Sequence, residues 1–420
     1  MKNKYRRSFL VPKVVSCSPE LAFYLYRGGF AFCFNLMTTI YSIYQIEMAK
    51  LSPLQLVLVG TVLEASCFLF EIPTGIVADL YSRKLSMLLG LVIMGIGIFL
   101  GGVFPAFIVI LLSQTIWGAG ATFLSGADMA WLSGETSGKD VKRTFIVGMQ
   151  VYQVFSALGV IASIALAVFK VSYPIIASGL LFVLLALLLL LIMPETNFKP
   201  LFEYDRPFFK KHFQPVALGM KHIFNCRFLL PFFITILLGG LYNEGLDRLW
   251  VYRLTKDIGL VQLFHLNRLY WFALINIVLL IINFFVLKLI KNKVEKYSVR
   301  SLYGLVLMNN IVLLSSMVLF SLTTKFYFAL LAFWVVMAAR NINEPLNIII
   351  VNHTVTDDKI RATVLSMKGQ MDQVGQILGG ICIGMVANAF SVSIGLLCSS
   401  TVVIAIIIIL FFLVGKRHNV

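Results

Sequence analysis

Three carboxylates stand in an otherwise apolar run near the start of the chain. The stretch "TVLEASCFLFEIPTGIVADLYSRK", residues 61–84, carries Glu64, Glu71 and Asp79 and then breaks into Arg83 and Lys84. An ionised carboxylate at mid-bilayer costs several kcal/mol, so such residues face a bundle interior or a water-filled cavity. Glu64 and Glu71 are seven residues apart, two helical turns, which stacks them on one face with Phe68 and Gly75. At 1.5 Å per residue they stand roughly 22 and 12 Å along the helix from Asp79. Two carboxyl groups on one stripe at two depths have the layout of stations on a path. In a cavity that opens to either side in turn, each takes up and releases a proton, and a site that also binds a cation exchanges it for one. The alternative is structural: each Glu is neutral, or pairs with a buried arginine such as Arg27 or Arg340 and fixes helix packing.

The elements that must position these groups follow from composition. Hydrophobic residues make up 59% of the 420 and charged residues only 13%, with a mean hydropathy of +0.91, which places the chain in a membrane. Apolar blocks recur, each near the roughly 20 residues needed to cross about 30 Å of hydrocarbon. Twelve spans are predicted, at about 21–48, 53–77, 85–103, 105–124, 145–169, 173–193, 228–250, 269–289, 301–322, 326–349, 370–391 and 393–414. The fold class is an all-α integral membrane protein, its twelve helices set in two six-helix halves around a central cavity. The polar stretches between spans leave no room for a soluble enzyme domain, and nucleic-acid binding does not account for the net charge of +16.

The charge is explained by where it sits. With the N-terminus inside the cell, most of the 35 Lys and Arg fall on the cytoplasmic side, which predicts a multi-pass protein of the bacterial cytoplasmic membrane with both termini cytoplasmic. The long basic and aromatic stretch 194–227 separates the sixth and seventh spans, so the expected organisation is an N-terminal half (1–196), a cytoplasmic linker (197–227) and a C-terminal half (228–420). The six cysteines and five histidines are scattered, with no ligand spacing. No phosphate-binding loop for ATP is present, and no nucleophile–base pair or metal cluster of an intramembrane enzyme is found in the spans.

Residues 75–88, "GIVADLYSRKLSML", resemble the loop signature of the major facilitator superfamily between its second and third spans, G-x-x-x-D-[RK]-x-G-R-[RK]-x-x-L. Gly75, Asp79, Arg83 and Lys84 occupy family positions, while Leu80 replaces a base and Ser82 the second glycine. The resemblance implies that Asp79 and the bases gate the cavity by clamping the loop across the domain interface, in a tight turn after Pro73 and Gly75. The motifs "FEIPTG" (70–75), "SGADMAWLSGE" (125–135), "MPET" (193–196) and "RATVLSM" (361–367) look like bacterial members of the family, and the whole is most similar to clostridial tetracycline efflux proteins of the TetA(P) type. Two family features of drug and proton antiporters are missing: Gln114 stands where an arginine is usual in the fourth span, and "SALGVIASIAL" (156–166) in the fifth keeps Gly159 without a proline. Proton coupling therefore rests on Glu64 and Glu71.

Other polar residues complete the candidate cavity. Arg27, followed by Gly28 and Gly29, is a partner for Glu71 or Asp128, or reaches the inner headgroups. Asn35 and Gln114 join it from the first and fourth spans. Arg340, Asn343 and Glu344, beside Pro345 in the tenth span, form a second candidate site, because the resemblance implies that spans one, four, seven and ten line the cavity. Glu244, Asp247 and Arg248 at the outer end of the seventh span make either an extracellular gate or an interfacial ion pair, and Asp372 is expected to be solvated near the cytoplasm. The function expected from the resemblance is export of tetracycline, carried with magnesium or a similar divalent ion, in exchange for protons by a monomer. No bound cofactor is expected. The alternative is proton-coupled transport of another drug, a sugar, a peptide or a lipid.

Overall fold

The computed structural model describes residues 17–136, 139–198, 229–261, 269–291, 297–355 and 358–415. Serines start several of the helices. The Ser18 hydroxyl accepts from the Leu21 amide to open α1 (Pro19–Ile43), with Pro19 at a position where no N–H is needed. Ser52 opens α2 (Pro53–Leu80) through a capping box with Gln55. Ser82 caps α3 (Arg83–Val103), which turns back into α4 (Phe107–Leu124). Gly126, at φ +70°, makes the left-handed turn into a short α5 (Ala127–Glu135). The first half closes with α6 (Lys139–Ala167) and α7 (Tyr173–Ile192).

The second half holds α8 (Leu229–Tyr252), α9 (Tyr270–Lys291), α10 (Val299–Leu322), α11 (Phe326–Thr354), α12 (Asp358–Ala389) and α13 (Val392–Gly415). Both α1 and α8 run on into a π-helical turn, Tyr44–Met48 and Arg253–Ile258. In the second of these the buried Arg253 donates to the carbonyls of Ser321 and Thr323, satisfying the end of α10.

Among the described residues twelve long helices thus appear where twelve spans are expected, with the short α5 added. The largest difference in a boundary is α12, which begins at Asp358 rather than near 370. Its first turns hold Lys359, Arg361 and Lys368, and hydropathy marks the hydrocarbon-facing part of a helix rather than its full length. The expected break at Pro73 and Gly75 does not occur: α2 continues unbroken through both to Leu80. The carbonyl that Pro73 leaves without a donor belongs to Leu69, in the exposed strip Phe68–Phe70. Most of the linker expected at 197–227 lies outside the described residues.

Among the described residues, nine helical stretches are long and apolar enough to cross a membrane. Two hydrophobic cores form. One is built by α1–α7, joined by Val251 and Phe272 from the second half, and the other by α8–α13, joined by Val57 from the first. The few residues that cross over show where the halves touch.

Candidate functional site

The two ends of α2 live in different surroundings. Its first turns pack on the second half: a Cβ on Gly380 would lie 2.1 Å from Thr61 Oγ1, and one on Gly384 would lie 3.1 Å from Leu54 and 3.2 Å from Val57. A Cβ on Gly60 would fall 1.8 Å from Glu244 Oε1 and 2.0 Å from Arg248 Nε, so the absent side chain leaves a notch that receives this ion pair from α8. Farther along α2, Phe68, Leu69, Phe70 and Ile72 are exposed. The halves therefore meet at the end remote from the chain termini and part at the end where the termini lie.

Glu64 and Glu71 straddle this transition. Glu64 sits one turn beyond Gly60, where the fields of Glu244, Arg248, Asp247 and Asp372 reach it. Glu71 lies in the open mouth and accepts from the Ser125 hydroxyl at 2.9 Å. The arginines proposed as partners are engaged elsewhere. Arg27 is 3.7 Å from Asp128 and lies 4.9 Å over the Tyr152 ring, and Arg340 holds Asp247 through two hydrogen bonds at 2.6 and 2.8 Å.

The loop signature is bonded within the first half. Ser82, where the family has glycine, has an ordinary extended φ of −175° and serves as helix cap while donating to Glu195 at 2.5 Å. Glu195 also accepts from the Lys84 amide at 2.9 Å. The Lys84 ammonium is buried against the end of α7, donating to the carbonyls of Leu190 at 3.0 Å and Met193 at 2.6 Å. Arg83 donates to the Ala130 carbonyl at 2.6 Å, which ties α3 to α5. Asp79 lies in the last turn of α2 and Gly75 one turn before it, with nothing within 4 Å of the position a Cβ would take. Lys84→Met removes two charge-assisted bonds to carbonyls that have no helical donor. It is expected to cost about 2 kcal/mol of stability, read as a lower melting temperature of the purified protein.

A cavity of about 370 Å³ opens in the second half, with Asp247 and Asn243 of α8, Arg340 and Asn343 of α11, and Lys368 and Asp372 of α12 on its wall. Asn343 on this wall accepts from Asn309 at 2.8 Å. Glu344 is largely exposed and holds Lys368 at 2.8 and 2.9 Å. Asp372, expected at the solvated start of its span, instead lies well inside α12 on the cavity wall, held by the Gln376 amide at 2.8 Å. The helix starts earlier than hydropathy indicates, so position 372 falls deeper.

All three candidates from the first half, Arg27, Asn35 and Gln114, lie outside this cavity. Gln114 is fully buried and donates to the Tyr41 hydroxyl at 2.7 Å, so it joins α4 to α1. Asn35 donates to the Ala31 carbonyl and, at 3.0 Å, to Ser156 of α6. Both side chains are consumed by helix packing, which the sequence position alone does not reveal. Sequence reasoning missed Gly60, while Glu244 and Arg248, expected as an extracellular gate or an interfacial ion pair, form an ion pair set against the first half. The only signals were an i,i+4 charge pair and a glycine four residues before Glu64.

Comparison with known proteins places this architecture. The sequence is 25% identical over 378 residues to the uncharacterized MFS-type transporter YxaM of Bacillus subtilis (strain 168), covering 86% of this chain and 88% of that one. The fold is similar to the crystal structure of the nucleoside transporter NupG, with a TM-score of 0.76 at 15% identity over 96% of this chain and 100% of that one. It is also similar to a bacterial homolog of the human lysosomal transporter Spinster, with a TM-score of 0.73 at 15% identity, covering 95% and 98%. A POT family transporter in complex with 5-aminolevulinic acid superposes with a TM-score of 0.73 at 12% identity, covering 94% and 96%. The family description that matches residues 25–337 is the Major Facilitator Superfamily. With three quarters of its length matched, the chain is a multi-pass membrane transporter, not an enzyme, and belongs to the Major Facilitator Superfamily.

Proposed function

We infer that this transporter moves a small polar solute in exchange for protons, with Glu64 and Glu71 as the coupling carboxylates. The observation that supports this best is the cavity of about 370 Å³, whose wall carries several amides and two cations each already held by a carboxylate, beside apolar patches such as Ile236, Val306, Met337 and Ile406. Such a wall offers many hydrogen-bonding groups beside its apolar area, and its size falls within the range of small-molecule sites. The solved relatives by fold include nucleoside and peptide transporters, both of which carry polar cargo. On this reading the two halves rock about the contact made by α2, the protein works as a monomer in a bacterial cytoplasmic membrane, and both termini are cytoplasmic. Asp79, Arg83 and Lys84 then act at the cytoplasmic gate.

Export of tetracycline as a complex with magnesium or a similar divalent ion is the second reading. It is favoured by Glu71 standing between the exposed Phe68, Phe70 and Ile72 at the mouth, a carboxylate set in apolar surface. A flat cargo bearing a cation would meet both.

The test is uptake of labelled uridine, a labelled dipeptide or labelled tetracycline with magnesium into proteoliposomes under an imposed pH gradient without ATP. Accumulation of at least one solute, collapsed by a protonophore and lost in both Glu64→Gln and Glu71→Gln, is expected. Preference for uridine or the dipeptide supports the first reading and preference for tetracycline the second. Transport that persists in both variants would remove the carboxylates from the coupling role.

A further inference from the structure

The contact between the halves holds a charge imbalance. Glu244 of α8 is 1% exposed, its Oε1 accepts from Arg248 Nε at 3.0 Å, and its Oε2 is buried with no hydrogen-bond partner. The pair is seated in the Gly60 notch of α2, one helical turn from Glu64, and Glu64 and Glu244 act on each other electrostatically. The Arg248 guanidinium is bonded to Glu244 alone, and Glu64, from the opposite half, lies within the field of both. The other charges facing them do not correct this. Asp247 of α8 is neutralised by Arg340 of α11, Asp372 of α12 adds a further negative charge, and α1 contributes the neutral Tyr41 hydroxyl. The packed face of α4 carries no charged residue.

We propose that Glu64 and Glu244 together form a proton-binding site that exists only while the halves are closed against each other at this end. With one proton bound, the group consists of a carboxyl, a carboxylate and the Arg248 guanidinium, with no net charge. The carboxyl O–H also supplies the hydrogen bond that an unpartnered oxygen in this cluster lacks. Opening this end separates Glu64 from Glu244, hydrates both and releases the proton to water, with no other bond made or broken. Like-charged carboxyl groups held close in a dry site share a proton in this way, and the proton belongs to the pair rather than to either residue. The site rests on the reading of Glu64 as a coupling residue and adds its partner in the other half.

The sign follows from linkage. The closed state binds the proton and the open state does not, so acid favours closure and alkali favours opening. The test requires no cargo. Spin labels at Phe169→Cys and Phe390→Cys, exposed turns of the first and second halves at the closed end, report the separation by pulsed electron resonance in a background whose native cysteines are replaced. Between about pH 5.5 and about pH 9, a difference of one unit in proton affinity between the states gives about a tenfold change in the ratio of short to long distances. Glu64→Gln and Glu244→Gln should each abolish this change, whereas Asp140→Asn, at an exposed carboxylate in the first turn of α6, should keep it. A wild-type distribution indifferent to pH would overturn the site. So would an unchanged response in both cluster variants, or a response that follows sodium instead of protons. An intact pH response in protein that takes up none of the three solutes would overturn the cargo reading above and leave the proton site standing.

Discussion

Gly60→Leu is expected to reduce transport by about 10- to 100-fold while leaving the amount of protein in the membrane unchanged. Overpacking costs about 1–3 kcal/mol even where neighbours yield, and each 1.36 kcal/mol is about a tenfold change in an equilibrium. Here the neighbours are Glu244 and Arg248, whose atoms would lie 1.8 and 2.0 Å from the first added carbon. Either the Glu244–Arg248 pair must leave the notch or the two halves must separate at this contact, so the penalty falls on closure and not on folding of either half. The initial transport rate per mole of protein is the measurement, with Gly60→Ala expected between wild type and Gly60→Leu. A wild-type rate for the leucine variant would show that the contact is not part of the transport cycle.

The second large effect belongs to the ion pair of the cavity wall. Asp247→Ala is expected to destabilise the protein by about 2 kcal/mol, between the values for exposed and buried pairs, because the side chains are 18% and 38% exposed. It leaves Arg340 with its two strongest acceptors gone and no other carboxylate bonded to it among the described residues. Arg340→Gln made together with Asp247→Asn should recover more than half of that loss, since amides replace charges that would otherwise be stranded. Thermal unfolding of the wild type, the single variant and the double variant in detergent measures the recovery. Equal losses in the single and double variants would assign the cost to packing rather than to charge.

The helices were legible because the bilayer imposes one length and one chemistry on each. Ser18, Ser52 and Ser298 also announce their helices locally. The α2 carboxylates were visible for the same reason: a Glu in an apolar run is conspicuous. Their partners were not, because partnership is settled between helices far apart in sequence. Arg27 has both Glu71 and Asp128 within the same half, and only the packing of α5 against α1 brings Asp128 to it. Gln114 looked like a cavity residue until the facing of α4 put Tyr41 against it. Asp372 was placed too shallow because apolar content locates the hydrocarbon and says little about where a helix with a charged first half begins. Ser82 shows the opposite case, a departure from the family pattern that the structure turns into a cap.

The π-helical turns have a consequence for ancestry. One follows the 25-residue α1 and the other the 24-residue α8, so the first helix of each half ends in the same rare winding at the same end of the bundle. Sequence similarity between the halves has faded, but a wider turn is a geometric inheritance that survives the loss of its residues, and two at matched positions are what a gene doubled after the turn arose would leave. Each turn holds about one residue more than an α-helix would there, and removing it would rotate the chain beyond by roughly 100°.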